Sequence, residues 1–172
     1  GASGKLIQAE KRPLTKVSGG GSEPIDFGQV GDVTSINTEL LGSLLSANIV
    51  PVIASLGINA KGDVFNINAD TTVVQIARQM SAELLIFVTG IGGIFHDIKD
   101  PNSRFPSLDA TAARQLIISG VIVDGMIPKV EEALSLLESG VDTIAIVDTR
   151  DASAFNSIAK GNAEYGTLIR AS

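Results

Sequence analysis

Cysteine is absent from the 172 residues, which excludes disulfides, thiolate metal sites and a cysteine nucleophile. A single histidine, His96, is present, so any histidine-based triad would have to use it, and no metal-ligand cluster is visible. Tryptophan is missing and aromatics make up only 4% of the chain, which leaves no stacking platform for bases. Basic runs are also missing. With a formal charge of -6, neither nucleic acid nor an anionic membrane is expected as the main partner. No apolar stretch approaches the roughly 20 residues that a helix needs to span a bilayer. Gly1-Ala2-Ser3-Gly4 has neither the charged nor the apolar region of a signal peptide, and reads as a cut end or a loop fragment.

What is present is a globular composition, 44% hydrophobic and 19% charged, with 18 glycines. Such a chain relies on aliphatic layers and tight turns. Its length suits one domain, 1–172, and no internal repeat or linker interrupts it. Residues 1–31 are expected to form a β-hairpin region whose flexible tip is Gly19-Gly20-Gly21, because that run leads into Pro24 and not into a helix. Strands are expected at 32–37, at 49–55 (IVPVIAS, with Pro51 early or at an edge), at 83–89 and at 143–147. Helices are expected after Asn37 or Thr38 with Leu40, Leu41, Leu44 and Leu45 on one face, and from Ala69 with Val73, Ile76, Ala77 and Met80. Two more follow at 108–120 and around Val130, Ala133, Leu134 and Leu137. Alternation of strands and helices implies an α/β fold, a three-layer αβα sandwich on a mainly parallel open sheet.

The stretch Asn66-Ile67-Asn68-Ala69-Asp70 places two amides and a carboxylate at alternate positions where a strand runs into a helix. Two readings stand side by side. Asn68 or Asp70 caps the helix, or the cluster is a ligand site of the kind open α/β sheets place at strand ends. After the buried strand, Thr89-Gly90-Ile91-Gly92-Gly93-Ile94 could bring backbone N–H groups close to phosphate oxygens, or could be a tight turn. In Gly125-Met126-Ile127-Pro128-Lys129, Pro128 suits a first helical turn, whereas a lysine so early runs against the helix dipole. Lys129 is thus either an anion contact or a solvated surface side chain. His96 is expected on the surface or in a loop.

Asn66-Ile67-Asn68-Ala69-Asp70, the run 85–94, Asp97-Ile98-Lys99-Asp100-Pro101 and Gly125-Met126-Ile127-Pro128-Lys129-Val130 resemble, in order and spacing, the amino-acid kinase family, most closely its acetylglutamate kinase branch. The resemblance also takes in 30–37 and Gly166-Thr167-Leu168-Ile169, and so spans nearly the whole chain. It implies transfer of the ATP γ-phosphoryl group, with Mg2+, to the γ-carboxylate of N-acetyl-L-glutamate, on the arginine route. By position it implies that Asn66 and Asn68 bind substrate, that Asp70 organises catalytic lysines and that Lys129 stabilises transferred charge. Thr89, Gly90, Ile91, Gly92, Gly93 and Ile94, with Val121, Ile122 and Val123, would line the ATP site. Gly90 stands where the family usually has Asp. Nothing matches the family's N-terminal lobe, which is needed for activity and supplies a second lysine. The resemblance therefore implies the C-terminal, ATP-binding portion of a cytoplasmic or plastid enzyme whose parent is a homo-oligomer. A different carboxylate or phosphate acceptor, or a non-catalytic nucleotide-binding module, are the alternatives.

Overall fold

The computed structural model describes residues 1–16, 23–148, 150 and 153–171. They form two compact units, Gly1–Met80 and Ser81–Ser172, each with its own four-stranded sheet. The glycine run 19–21 expected at a hairpin tip lies outside the described residues.

In the first unit, β1 (Ile7–Lys11), β2 (Gly31–Ile36), β3 (Leu56–Ile58) and β4 (Val64–Asn66) are ordered β2-β1-β3-β4. β1 runs antiparallel to β2 and parallel to β3, and β3 runs antiparallel to β4. Alternation sets which face is buried: Ile7 and Ala9 point inward while Gln8 and Glu10 are exposed. They meet Ile36, Leu41, Phe65 and Ile67 in one cluster. Gly57 is required by this packing, since a Cβ there would lie 2.4 Å from the Ala9 Cβ. Two helices cover the sheet, α1 (Thr38–Ser46) and α2 (Ala69–Gln79). Asn37 caps α1 by accepting the Leu40 N–H at 3.0 Å, as its place before the leucine pattern suggested. Of that leucine face, Leu41 is buried and Leu45 is half exposed.

One strand is misplaced by the sequence reading. The ladder begins at Leu56, and residues 49–54 belong to no described strand; Val50 and Val52 are 82% and 98% exposed. Pro51 has no N–H to give to a ladder, and from this stretch it is Ile53 that packs against the core.

The second unit contains β5 (Leu84–Thr89), β6 (Ser107–Asp109), β7 (Thr143–Asp148) and β8 (Gly166–Arg170), ordered β5-β7-β8-β6. β5 and β7 are parallel, aligned from Leu84↔Thr143 to Thr89↔Asp148. β8 is antiparallel to β7 and parallel to β6. The α/β class is as expected, and each sheet mixes parallel with antiparallel pairs. Ile144, Ala145, Ile146 and Val147 are all fully buried, which explains the unbroken apolar run in β7: both faces of a central strand are covered. Helices α3 (Ala110–Ile118), α4 (Met126–Glu138) and α5 (Ser153–Ala159) follow the amphipathic pattern, α4 burying Val130, Ala133, Leu134, Leu136 and Leu137. Leu108, expected inside α3, sits in β6 instead, because Asp109 caps the helix by accepting the Ala112 N–H at 2.7 Å.

Two consequences can be measured. Asn68 caps α2, accepting the Thr71 N–H at 3.1 Å. Asn68→Ala should therefore lower stability in urea unfolding by about 1 kcal/mol, and Asn68→Asp should retain it. On the exposed surface, hydrogen bonds from Lys11 Nζ (2.8 Å) and then from the Gly28 N–H (2.8 Å) hold the Asp26 carboxyl below its usual pKa. A pKa lowered by folding gives a contribution present above the unfolded value and lost as pH falls through the folded one. Lys11→Ala should raise the Asp26 pKa in an NMR titration and move that loss to higher pH.

Candidate functional site

The second unit's cavity is built from the ends of β5 and α3 and the start of α4. At the end of β5, the Thr89 hydroxyl accepts the N–H groups of Ile91 (3.3 Å) and Gly92 (3.1 Å), which folds the chain sharply after the strand. Gly92 and Gly93 then adopt φ values of 76° and 153°, where a side chain is strained. A Cβ at Gly92 would lie 2.7 Å from the Asp148 Cβ. One at Gly93 would lie 2.9 Å from both Arg104 Cδ and Thr167 Oγ1. These two glycines are dictated by close approach. Gly90 differs: a Cβ there would meet no described atom within 4 Å, and its φ is ordinary.

The facing wall starts where α3 ends. The N–H groups of Val121 and Ile122 both bond the Leu116 carbonyl at 3.0 Å, which turns the chain after Gly120. Val123 and Asp124 lead into α4, whose Gly125 cap offers no side chain and whose first turn holds no carboxylate. Pro128 is in that first turn, as expected. Lys129 is half buried, its Nζ 5.9 Å from the centre of the Phe87 ring on β5. A cation over an aromatic face gains about 0.5–2 kcal/mol, enough to bias where the ammonium rests.

Between these walls lies a cavity of about 530 Å³, within the range of small-molecule sites. It gathers Thr89, Gly90, Ile91, Gly93 and Ile94 from the first loop, Val121, Ile122 and Val123 from the second, and Lys129 from α4. Gly92 faces a neighbouring cavity of about 690 Å³ instead, beside Asp148 and the Arg150 guanidinium that pairs with it. Phe95, His96, Asp97 and Ile98, which the sequence reading did not place in the site, also line the 530 Å³ cavity, as do Asp124, Gly125 and Met126 from the stretch that leads to Lys129. His96 is exposed, as expected of a loop residue, and still forms part of this wall. Asp97 and Ile98 stand in a stretch that carries the family resemblance, and Phe95 and His96 adjoin the glycine loop. Mostly apolar walls and one ammonium suit a flat apolar ring joined to an anion.

Asn66, Asn68 and Asp70 belong to the first unit. Asn66 and Asn68 are exposed on the side opposite the buried Phe65 and Ile67, so the expected alternation extends to Asn68. Asp70 is in the first turn of α2 and half buried. The cap reading of this stretch holds for Asn68.

Residues 4–148 match the family model described as Amino acid kinase family. The chain belongs to this family. Acetylglutamate kinase from Anaeromyxobacter sp. (strain Fw109-5) is 44% identical over 147 residues, covering 86% of this chain and 54% of that protein. The enzyme of the same name from Methanobrevibacter smithii is 41% identical over 152 residues, covering 87% and 52%. The chain thus spans about half the length of the curated relatives it matches. Among solved structures, N-acetylglutamate synthase from Neisseria gonorrhoeae, complexed with coenzyme A and L-arginine, superposes with a TM-score of 0.78 at 23% identity, over 96% of this chain and 36% of that one. Carbamate kinase from Giardia lamblia bound to AMP-PNP gives 0.60 at 18% identity, over 93% and 52%. At those identities the two structures speak to the fold alone, and the fold is that of the amino acid kinases. Among the described residues no helix is long and apolar enough to cross a membrane.

The two kinds of glycine in the loop respond differently to substitution. Gly90→Asp should fold with stability within about 0.5 kcal/mol of the parent in thermal unfolding. Gly93→Ala should cost about 1–3 kcal/mol, from its backbone strain and the two close contacts.

Proposed function

We propose that the chain supplies the ATP site and part of the catalytic site of a kinase that phosphorylates the γ-carboxylate of N-acetyl-L-glutamate. The observation that carries this reading is the cavity itself, which brings the glycine loop after β5, the 121–123 wall and Lys129 together within a family of phosphoryl-transfer enzymes. The residues present fit a nucleotide. Ile91, Ile94, Val121, Ile122 and Val123 offer apolar walls for a base, and the open space in front of Gly90 leaves room for phosphate oxygens beside the loop. Lys129 supplies positive charge where charge on a transferring phosphoryl group must be stabilised. Mg2+ would arrive with ATP and neutralise the phosphates. On the first unit, Asn66 and Asn68 are assigned to the acetylglutamate side and Asp70 to orienting lysine ammonium groups. The remaining half of the relatives' length would complete the acceptor site, and the setting expected for such a biosynthetic enzyme is the cytoplasm.

A second reading is a nucleotide-binding module without turnover. Gly90 favours it, because the carboxylate the family usually places there is missing. Calorimetric titration of the 172-residue chain with Mg-ATP should show one site, and Lys129→Ala should weaken it at least tenfold; a folded sample with no affinity would overturn the proposal. In a protein of the relatives' full length, Lys129→Ala should lower kcat for N-acetyl-L-glutamate at least a hundredfold. Turnover that persists unchanged in that variant removes Lys129 from catalysis, and phosphorylation of glutamate or carbamate in preference would reassign the acceptor.

A further inference from the structure

We infer that Thr167 is a positioning residue for the loop 89–95, fixing the backbone that faces the ligand without touching the ligand itself. The inference rests on the nucleotide reading of the cavity. Thr167 is fully buried on β8, paired with Ile146 of the central strand, so its hydroxyl is held by a sheet ladder. That hydroxyl is used in both directions: it accepts the Ile94 N–H at 2.9 Å and donates to the Phe105 carbonyl at 2.6 Å. Phe105 in turn donates its N–H to the Ile94 carbonyl at 2.9 Å. Ile94 is therefore gripped on both its backbone groups, and the grip closes through a single oxygen.

Gly93 lies directly against this arrangement, its missing side chain making room for Thr167 Oγ1 and the Arg104 stem. Arg104 then fixes the approach to β8 by donating to the carbonyls of Ala163 (2.9 Å), Glu164 (2.6 Å) and Gly166. The turn that lines the cavity is thus tied to the sheet through Thr167 at Ile94, while Thr89 shapes its other end. Packing alone does not call for a hydroxyl here. Leu168 and Ile169 beside it are apolar, and a valine would fill the same volume, but it would strand the Ile94 N–H and the Phe105 carbonyl.

The test compares Thr167→Val with Thr167→Ser, using Mg-ADP as the calorimetric probe and amide exchange as the second readout. Thr167→Val should bind Mg-ADP at least tenfold more weakly, with the loop amides 92–95 exchanging at least tenfold faster and those of 144–146 unchanged. Thr167→Ser keeps both hydrogen bonds and should restore affinity and exchange to within about twofold of the parent. Should Thr167→Val fail to fold, Thr167→Cys, which keeps the volume and weakens both bonds, takes its place. Unchanged affinity and unchanged loop exchange in the folded variant would overturn the inference, as would loss of protection spread evenly over the unit. If the parent chain binds no Mg-ADP, the nucleotide reading fails by itself, and the exchange comparison alone then decides whether Thr167 sets the loop.

Discussion

The buried ladder of β7 is the constraint on which the second unit depends. Ile144 to Val147 have no exposed surface, so the strand must be matched on both edges and covered on both faces. β5 fills one edge in a register that puts Thr89 beside Asp148, and β8 fills the other in a register that puts Thr167 beside Ile146. Those two alignments decide where the chain leaves β5 and what it meets there. The glycines at 92 and 93 follow from the approach to Asp148, Arg104 and Thr167, not from a need for mobility. The cavity at the end of this sheet is in this sense a by-product of strand register, refined by the residues that fill or vacate its walls.

Much of this was legible in the linear sequence, and the reasons are specific. The continuous apolar run of β7 is a strand buried on both faces, whereas the similar run of β5 forms an edge strand that alternates and leaves Val88 45% exposed. Asn37 and Asn68, each ahead of a helical period, cap their helices through the side-chain oxygens their positions offered. The glycine loop and Lys129 were found by chemistry at the ends of elements, and both line one cavity. Where the reading slipped, it slipped on context that composition cannot carry. IVPVIAS looks like a core strand because its valines are β-branched, but Pro51 removes a donor and the ladder waits until Leu56. The three-residue strand β6 is too short to show a period, and its Leu108 is as compatible with a helix start as with a sheet.

The loop after β5 separates two kinds of glycine that sequence alone treats alike. Gly92 and Gly93 are there because a Cβ would collide with fixed neighbours and because the backbone is in a region unfavourable to side chains. Gly90 has open space in front of it and an ordinary conformation, so the fold does not dictate its identity. A carboxylate side chain at this position would find open space. It would leave the scaffold of the cavity untouched.

The strand order β5-β7-β8-β6 has a consequence for how the unit is made. β6 finds its ladder partner in β8, which comes after every other strand of the unit in sequence. During synthesis β5 and β7 can zip together while β6 waits, its backbone groups served by water, until Gly166–Arg170 has emerged. Of these four strands, the last in sequence is the one inserted between two others. The backbone of Ile94 and Phe105 is fastened through Thr167 in the same event, so the loop bordering the cavity gains that anchor only when β8 docks.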